Sequence, residues 1–146
     1  MDPWFIVASA PQDAQLIRAA RLRNDSKPGW VLDKGKAALF DALAAAPGRS
    51  LSDMTVACLG LAFKPNIDDL RESPALGITR SFGALGCQVL AVEPHVTELP
   101  SELEGLPVRL ADLEAALAAD VICVLVRHDA FAGLRARLPA GARLID

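Results

Sequence analysis

No apolar run in this sequence approaches the roughly 20 residues that a membrane-spanning helix needs, and the opening residues carry no secretory-signal pattern. A surplus of positive charge is also missing. Fifteen Lys and Arg stand against 18 Asp and Glu, for a net charge of −3, so there is no electrostatic basis for binding nucleic acid or an anionic membrane. Cysteine is scarce: Cys58, Cys87 and Cys123 are the only three, and their spacing fits no metal site. Each lies in or beside an apolar run, so all are expected as buried, reduced hydrophobes of a cytoplasmic protein. Internal repeats and low-complexity tracts are absent. So are the two phosphate-binding fingerprints G-x-G-x-x-G and G-x-x-x-x-G-K-[ST].

What is present is enough apolar material for a core. Hydrophobic residues make up 52% and charged residues 23% of the 146 positions, which excludes disorder and suits one domain with an appendage. Residues 11–46 are rich in Ala, Leu, Arg and Asp, and Leu32, Leu39, Leu43 and Ala46 recur at helical spacing. "SKPGW" interrupts them, giving either two helices or one helix kinked near Pro28 and Gly29. "PGRSLSDM" then reads as a loop.

From Thr55 the texture alternates. "TVACLGLAF", "QVLAVEP", "VICVLVRH" and "RLID" read as buried strands, with helical segments between them. Ser73 is a natural N-cap, Pro74 fits the first helical position, and Gly86 is placed to end that helix. Asp112 is expected to cap "LEAALAA", and Asp129 to cap "AFAGLRARL", which Pro139 stops. Strands alternating with helices predict an α/β fold: a doubly wound, mainly parallel Rossmann-like sheet preceded by a long or kinked helical segment. Ligands of such sheets bind beyond the carboxyl ends of the strands. Three polar segments fall on that edge: "GLAFKPNIDDLRESPA" from Gly60 to Ala75, Glu93–His95, and Arg127–His128. For Glu93 and His128 the ordinary reading is a packed or capping role.

The first of these segments carries more charge than a strand-to-helix turn requires. Lys64 can offer a point charge and Arg71 a planar fork. Asp68 and Asp69 can fold the loop by accepting its backbone N–H groups. The alternative is a solvated loop whose charges pair with one another. A receiver domain shares the sheet architecture, but it needs an acidic pair after the first strand, where this chain has Phe63 and Lys64.

"GLAFKPNIDDLRESPA", together with "DPWFIV" at Asp2–Val7 and "RNDSKP" at Arg23–Pro28, resembles the nucleotide-sugar 6-dehydrogenase family over nearly the whole chain. The "DPWF" and "PNIDDLRESPA" wording favours its N-acetylmannosamine branch over the UDP-glucose and GDP-mannose branches. The resemblance implies a central helical dimerisation segment over residues 1–50 and a C-terminal UDP-sugar-binding domain over residues 51–146. The family's NAD-binding domain and nucleophilic cysteine would lie upstream, so the chain is expected to be a fragment that is inactive alone. The implied reaction oxidises a sugar C6 alcohol to a uronic acid with two NAD, through a cysteine-bound intermediate, for polysaccharide precursors. Covalent capture keeps the reactive aldehyde from escaping between the two oxidations.

Residue by residue, the resemblance implies that Asp2 assists catalysis near the thiol; otherwise it enters a turn or helix before Pro3. Phe63 and Lys64 match a substrate-contacting pair, although Phe63 could equally be core. Arg71 matches a residue that reaches the cofactor, the alternative being an ion pair with Asp68 or Asp69. Lys27 lies near a position from which a basic residue reaches the partner subunit's substrate. The implied partners are a UDP-sugar and a second copy of the chain through residues 11–46, with no metal. The alternative is a non-catalytic nucleotide-binding or dimerisation module of the same fold.

Overall fold

A computed structural model describes residues 2–146. It opens with a helical arm of α1 (Pro3–Ser9), α2 (Gln15–Asp25) and α3 (Lys27–Ala44). The interruption at "SKPGW" resolves as two helices separated at Ser26. Helix α1 was not anticipated from periodicity; Asp2 nucleates it by accepting Trp4 N at 3.0 Å, and Pro3 supplies a preset first residue.

After a 3₁₀ turn at Leu51–Asp53 the chain lays down β1 (Thr55–Leu59), α4 (Pro74–Leu85), β2 (Gln88–Val92), β3 (Val108–Leu110), α5 (Leu113–Leu117), β4 (Val121–Val124), α6 (Leu134–Arg137) and β5 (Arg143–Ile145). The strands form one sheet in the order β3-β2-β1-β4-β5. Every pairing is parallel, with Cys58 opposite Ala91 on one side and Cys123 on the other.

Side chains alternate across a strand, so each strand feeds two cores. Val56, Cys58, Val89, Ala91, Val121 and Cys123 face one layer, where Leu39 of α3 and Phe82 of α4 pack. Ala57, Leu59, Leu90, Val92 and Ile122 face the other, against Ala116 of α5 with Phe131 and Leu134. A continuous apolar run is therefore what this geometry demands of a central strand. Leu39 is wholly buried, and Leu32 and Leu43 flank the same core, so the predicted stripe on α3 is its sheet-facing side.

Ser73 accepts Leu76 N and Asp112 accepts Ala115 N at 2.8 Å, capping α4 and α5 as expected; Gly86 ends α4 at φ 95°. The helix expected from Asp129 is broken. Asp129–Phe131 is a 3₁₀ turn, and α6 starts only after Gly133, whose φ of 72° lies outside any right-handed helix. His128, not Asp129, occupies the cap position of that turn. All three cysteines are free and buried. Burial pushes the Cys58 thiol well up and the Cys123 thiol to about 12. Among the described residues no helix is long and apolar enough to cross a membrane.

Candidate functional site

Strands β1 to β3 run to one side of the sheet, while β4 and β5 lie on the other side of β1. The reversal between β1 and β4 leaves a crevice at their carboxyl ends, the place where open α/β sheets take ligands. A cleft of about 470 Å³ occupies it, a size suited to a small-molecule ligand. Ala62 and Pro74 line it from the two ends of the charged loop. Lys27 and Trp30 line it from the start of α3, and Arg127 and Asp146 from the far strands. The Lys27 ammonium stands 4.0 Å from the Trp30 ring centroid, a cation–π contact that keeps the charge at the cleft mouth.

The loop leaves β1 through Gly60. Its φ is 87°, and an added Cβ would meet Val126 Cβ and carbonyl oxygen at 2.6 Å and Val126 N at 2.9 Å. Glycine is required there both by the left-handed turn and by the close approach of β4's continuation. Beyond it, Phe63 N donates to the Asp69 carbonyl at 2.8 Å, and Ser73 Oγ donates to the Ala62 carbonyl at 3.2 Å. The loop is thus closed at its base.

A buried polar pair holds its middle. The Glu93 side chain, wholly shielded from solvent, accepts Leu61 N at 2.7 Å and Ala62 N at 3.0 Å through Oε2, and His95 N at 3.1 Å through Oε1. His128 Nε2 lies 2.9 Å from the same Oε2, while His128 Nδ1 accepts Asn66 N at 2.9 Å. Because Nδ1 is the acceptor, the proton belongs on Nε2, which donates to the carboxylate. Asn66 in turn accepts Asp129 N at 3.0 Å, with φ 62°. Ligand atoms of Glu93, His95 and His128 lie within 4.8 Å of one another. Both nitrogens of His128 and both oxygens of Glu93 are nonetheless already engaged, so the group needs no ion to be satisfied.

The residues singled out from sequence fall at different places. Phe63 is not core: it is 48% exposed, with Lys64 exposed beside it and the Lys64 ammonium 5.8 Å from the Phe63 ring. Lys64 has no carboxylate partner among the described residues, and neither residue lines the cleft. Arg71 takes the ion-pair alternative. Its Nε and Nη2 donate to the two oxygens of Asp69 at 3.0 and 2.8 Å, with the Arg71 side chain 88% exposed. That fork, joined by Arg71 N, draws the Asp69 carboxyl down to about 2. Asp69 thereby fulfils the backbone-capping expectation, accepting Arg71 N at 3.0 Å. Lys27 shares the cleft with the loop's two ends. Asp2 is committed to capping α1; its neighbour Pro3 lines a smaller cavity with Asn24, which also borders the cleft.

Sequence reasoning placed Glu93 and His128 on the correct edge but did not join them. The available signal was a carboxylate directly after a buried strand, which must find donors.

The UDP-glucose/GDP-mannose dehydrogenase family model, in its UDP-binding domain, matches residues 57–146. The chain is 57% identical over 133 residues to a UDP-N-acetyl-D-mannosamine dehydrogenase of Salmonella typhi, covering 90% of this chain and 31% of that protein. It is 49% identical over 134 residues to an NDP-N-acetyl-D-galactosaminuronic acid dehydrogenase of Ralstonia solanacearum, covering 90% and 29%. Among solved structures, a UDP-N-acetyl-mannosamine dehydrogenase from S. aureus superposes with a TM-score of 0.62 at 33% identity, over 90% of this chain and 28% of that one. The chain therefore spans about a third of the length of the relatives it matches.

Proposed function

This chain belongs to the UDP-glucose/GDP-mannose dehydrogenase family, and from that premise we propose that it is the UDP-sugar-binding part, with its dimerising arm, of a cytoplasmic NAD-dependent nucleotide-sugar 6-dehydrogenase. The proposed substrate is UDP-N-acetyl-D-mannosamine. One observation carries the reading: within the stretch matched by a UDP-binding domain, Phe63 and Lys64 stand exposed on a loop fixed at the carboxyl end of β1, and Lys64 has no carboxylate partner among the described residues. In a solvated structural loop the cation would be expected to find one of the nearby carboxylates, as Arg71 does.

Lys64 then supplies the charge for the diphosphate or sugar hydroxyls, and Phe63 an apolar face for the ligand. Lys27, which lines the cleft, adds a second cation. Arg71 fits a cofactor phosphate, because among the described residues its Nη1 has no partner and the guanidinium is exposed. NAD, when bound, supplies the hydride acceptor. Asp2 would act near the reacting carbon only in the longer protein.

The arm supports a dimer. Phe5, Leu16, Leu22 and Phe40 are 73%, 83%, 46% and 48% exposed, an apolar load that a second copy would cover.

Isothermal calorimetry with UDP tests the binding role. The chain should bind UDP, and Lys64→Ala should weaken binding by about ten-fold or more, the value of a hydrogen bond to a charged group. Its unfolding midpoint should hardly move, since the position is exposed. No detectable binding, or NMR shifts on UDP addition confined to α2 and α3, would reject the proposal.

A further inference from the structure

We propose that Glu93, His128 and Asn66 are positioning residues for the UDP-sugar site, acting through the loop that carries Phe63 and Lys64; this rests on the binding role proposed above. Phe63 and Lys64, with Pro65, are the residues between two anchors. On one side Ala62 is tied to Glu93 through its N–H at 3.0 Å. On the other Asn66 is tied to His128 through its N–H at 2.9 Å. From Lys64 to Asp68 the loop is exposed, and among the described residues its hydrogen bonds to the rest of the molecule are those of Asn66, to His128 and from Asp129.

The relay joins the carboxyl ends of three strands: Leu61 and Ala62 after β1, Glu93 after β2, and His128 after β4. A buried carboxylate with its hydrogen-bond donors is a poor source of stability, because apolar residues of similar size often serve a fold as well. What it offers is direction. Glu93 Oε2 collects three donors at 2.7 to 3.0 Å, so the backbone before Phe63 has a single satisfied position. Neutral His128 passes that constraint 35 residues along the chain from Glu93 to the far side of the loop. Asn66 completes it, since its φ of 62° suits Asn far better than most residues. A charged side chain must be held to a fraction of an ångström to be worth its full contact, which is the purpose of such a supporting shell.

The test is UDP calorimetry on the full 146-residue chain, with His128→Leu and, at an exposed position that spares the core, Asn66→Ala. Each should weaken UDP binding by about ten-fold, the loss expected when Lys64's charge-assisted contact is misaligned. Asn66→Gly, which keeps the backbone turn and the N–H to His128, should recover most of the affinity. The decisive readout is coupling: in a Lys64→Ala background the same substitutions should change affinity by less than about two-fold, because they act through Lys64. Hydrogen exchange at the Ala62 and Asn66 amides should quicken in the variants. Should His128→Leu not fold, Asn66→Ala alone decides. Undiminished UDP binding by a folded variant, or losses that simply multiply with that of Lys64→Ala, overturns the positioning role and leaves the binding role standing. Failure of the unsubstituted chain to bind UDP overturns both.

Discussion

Adding one methyl group to this chain should have opposite effects at two glycines, and the contrast tests how the charged loop is launched. At Gly60, alanine must adopt φ near 87°, which costs an L-residue roughly 1–2 kcal/mol. Its Cβ must also displace Val126, at 2.6 Å from both Cβ and carbonyl oxygen. Those atoms cannot rotate away, because Val126 N is bonded to the Leu59 carbonyl at 3.2 Å and His128 N to the Val126 carbonyl at 3.1 Å. Overpacking of this kind adds about 1–3 kcal/mol, so Gly60→Ala should destabilise by about 2–5 kcal/mol. Gly77, on the exposed side of α4, has nothing within 4 Å of a built Cβ and a helical backbone. There alanine should stabilise by about 0.5–1 kcal/mol. Urea unfolding followed by circular dichroism reads both. With a slope of about 1–3 kcal/mol per molar, the two midpoints should separate by roughly a molar or more. A Gly60→Ala midpoint within error of the unsubstituted chain, or a fall for Gly77→Ala, would refute the steric reasoning.

Two further outcomes follow from the same structure. Asp120 accepts Arg49 Nη1 and Nη2 at 2.8 and 2.9 Å and Thr55 N at 2.8 Å, and the Arg49 hydrogen bonds hold its carboxyl below the ordinary carboxylate value. A depressed folded-state pKa adds stability that is present above the unfolded value of about 3.9 and is lost as pH falls through the folded value. The stability gap between the unsubstituted chain and Asp120→Asn should therefore hold from pH 7 to about 5 and narrow toward pH 3; an unchanged gap in urea titrations at the two extremes would refute this. For the arm, sedimentation equilibrium should show a concentration-dependent dimer that Leu16→Glu weakens, whereas a monomer at every concentration would exclude that interface.

Much of the fold was legible because it depends on period and on neighbours. Apolar runs such as "TVACL" suit strands covered on both faces, and the caps at Ser73 and Asp112 bond residues only three positions away. Strand β3 escaped notice because its three residues, Val108–Leu110, include the exposed Arg109. Pairing with β2 makes it an edge strand; its own composition does not. The break at Gly133 was missed because helical spacing survives through a residue whose backbone does not.

At the candidate site the division follows the same line. The sequence alone determined that cations and carboxylates crowd the first strand's carboxyl edge, and that Ser73 and Pro74 start a helix behind them, since both follow from chain order. Tertiary structure decided which charges are spent and which are free: Asp69 claims Arg71, while Lys64 is left open to solvent. It also decided that Glu93 and His128 meet beneath the loop. A buried carboxylate takes whatever donors the strand register brings within about 3 Å, and that register is set by packing across the whole sheet.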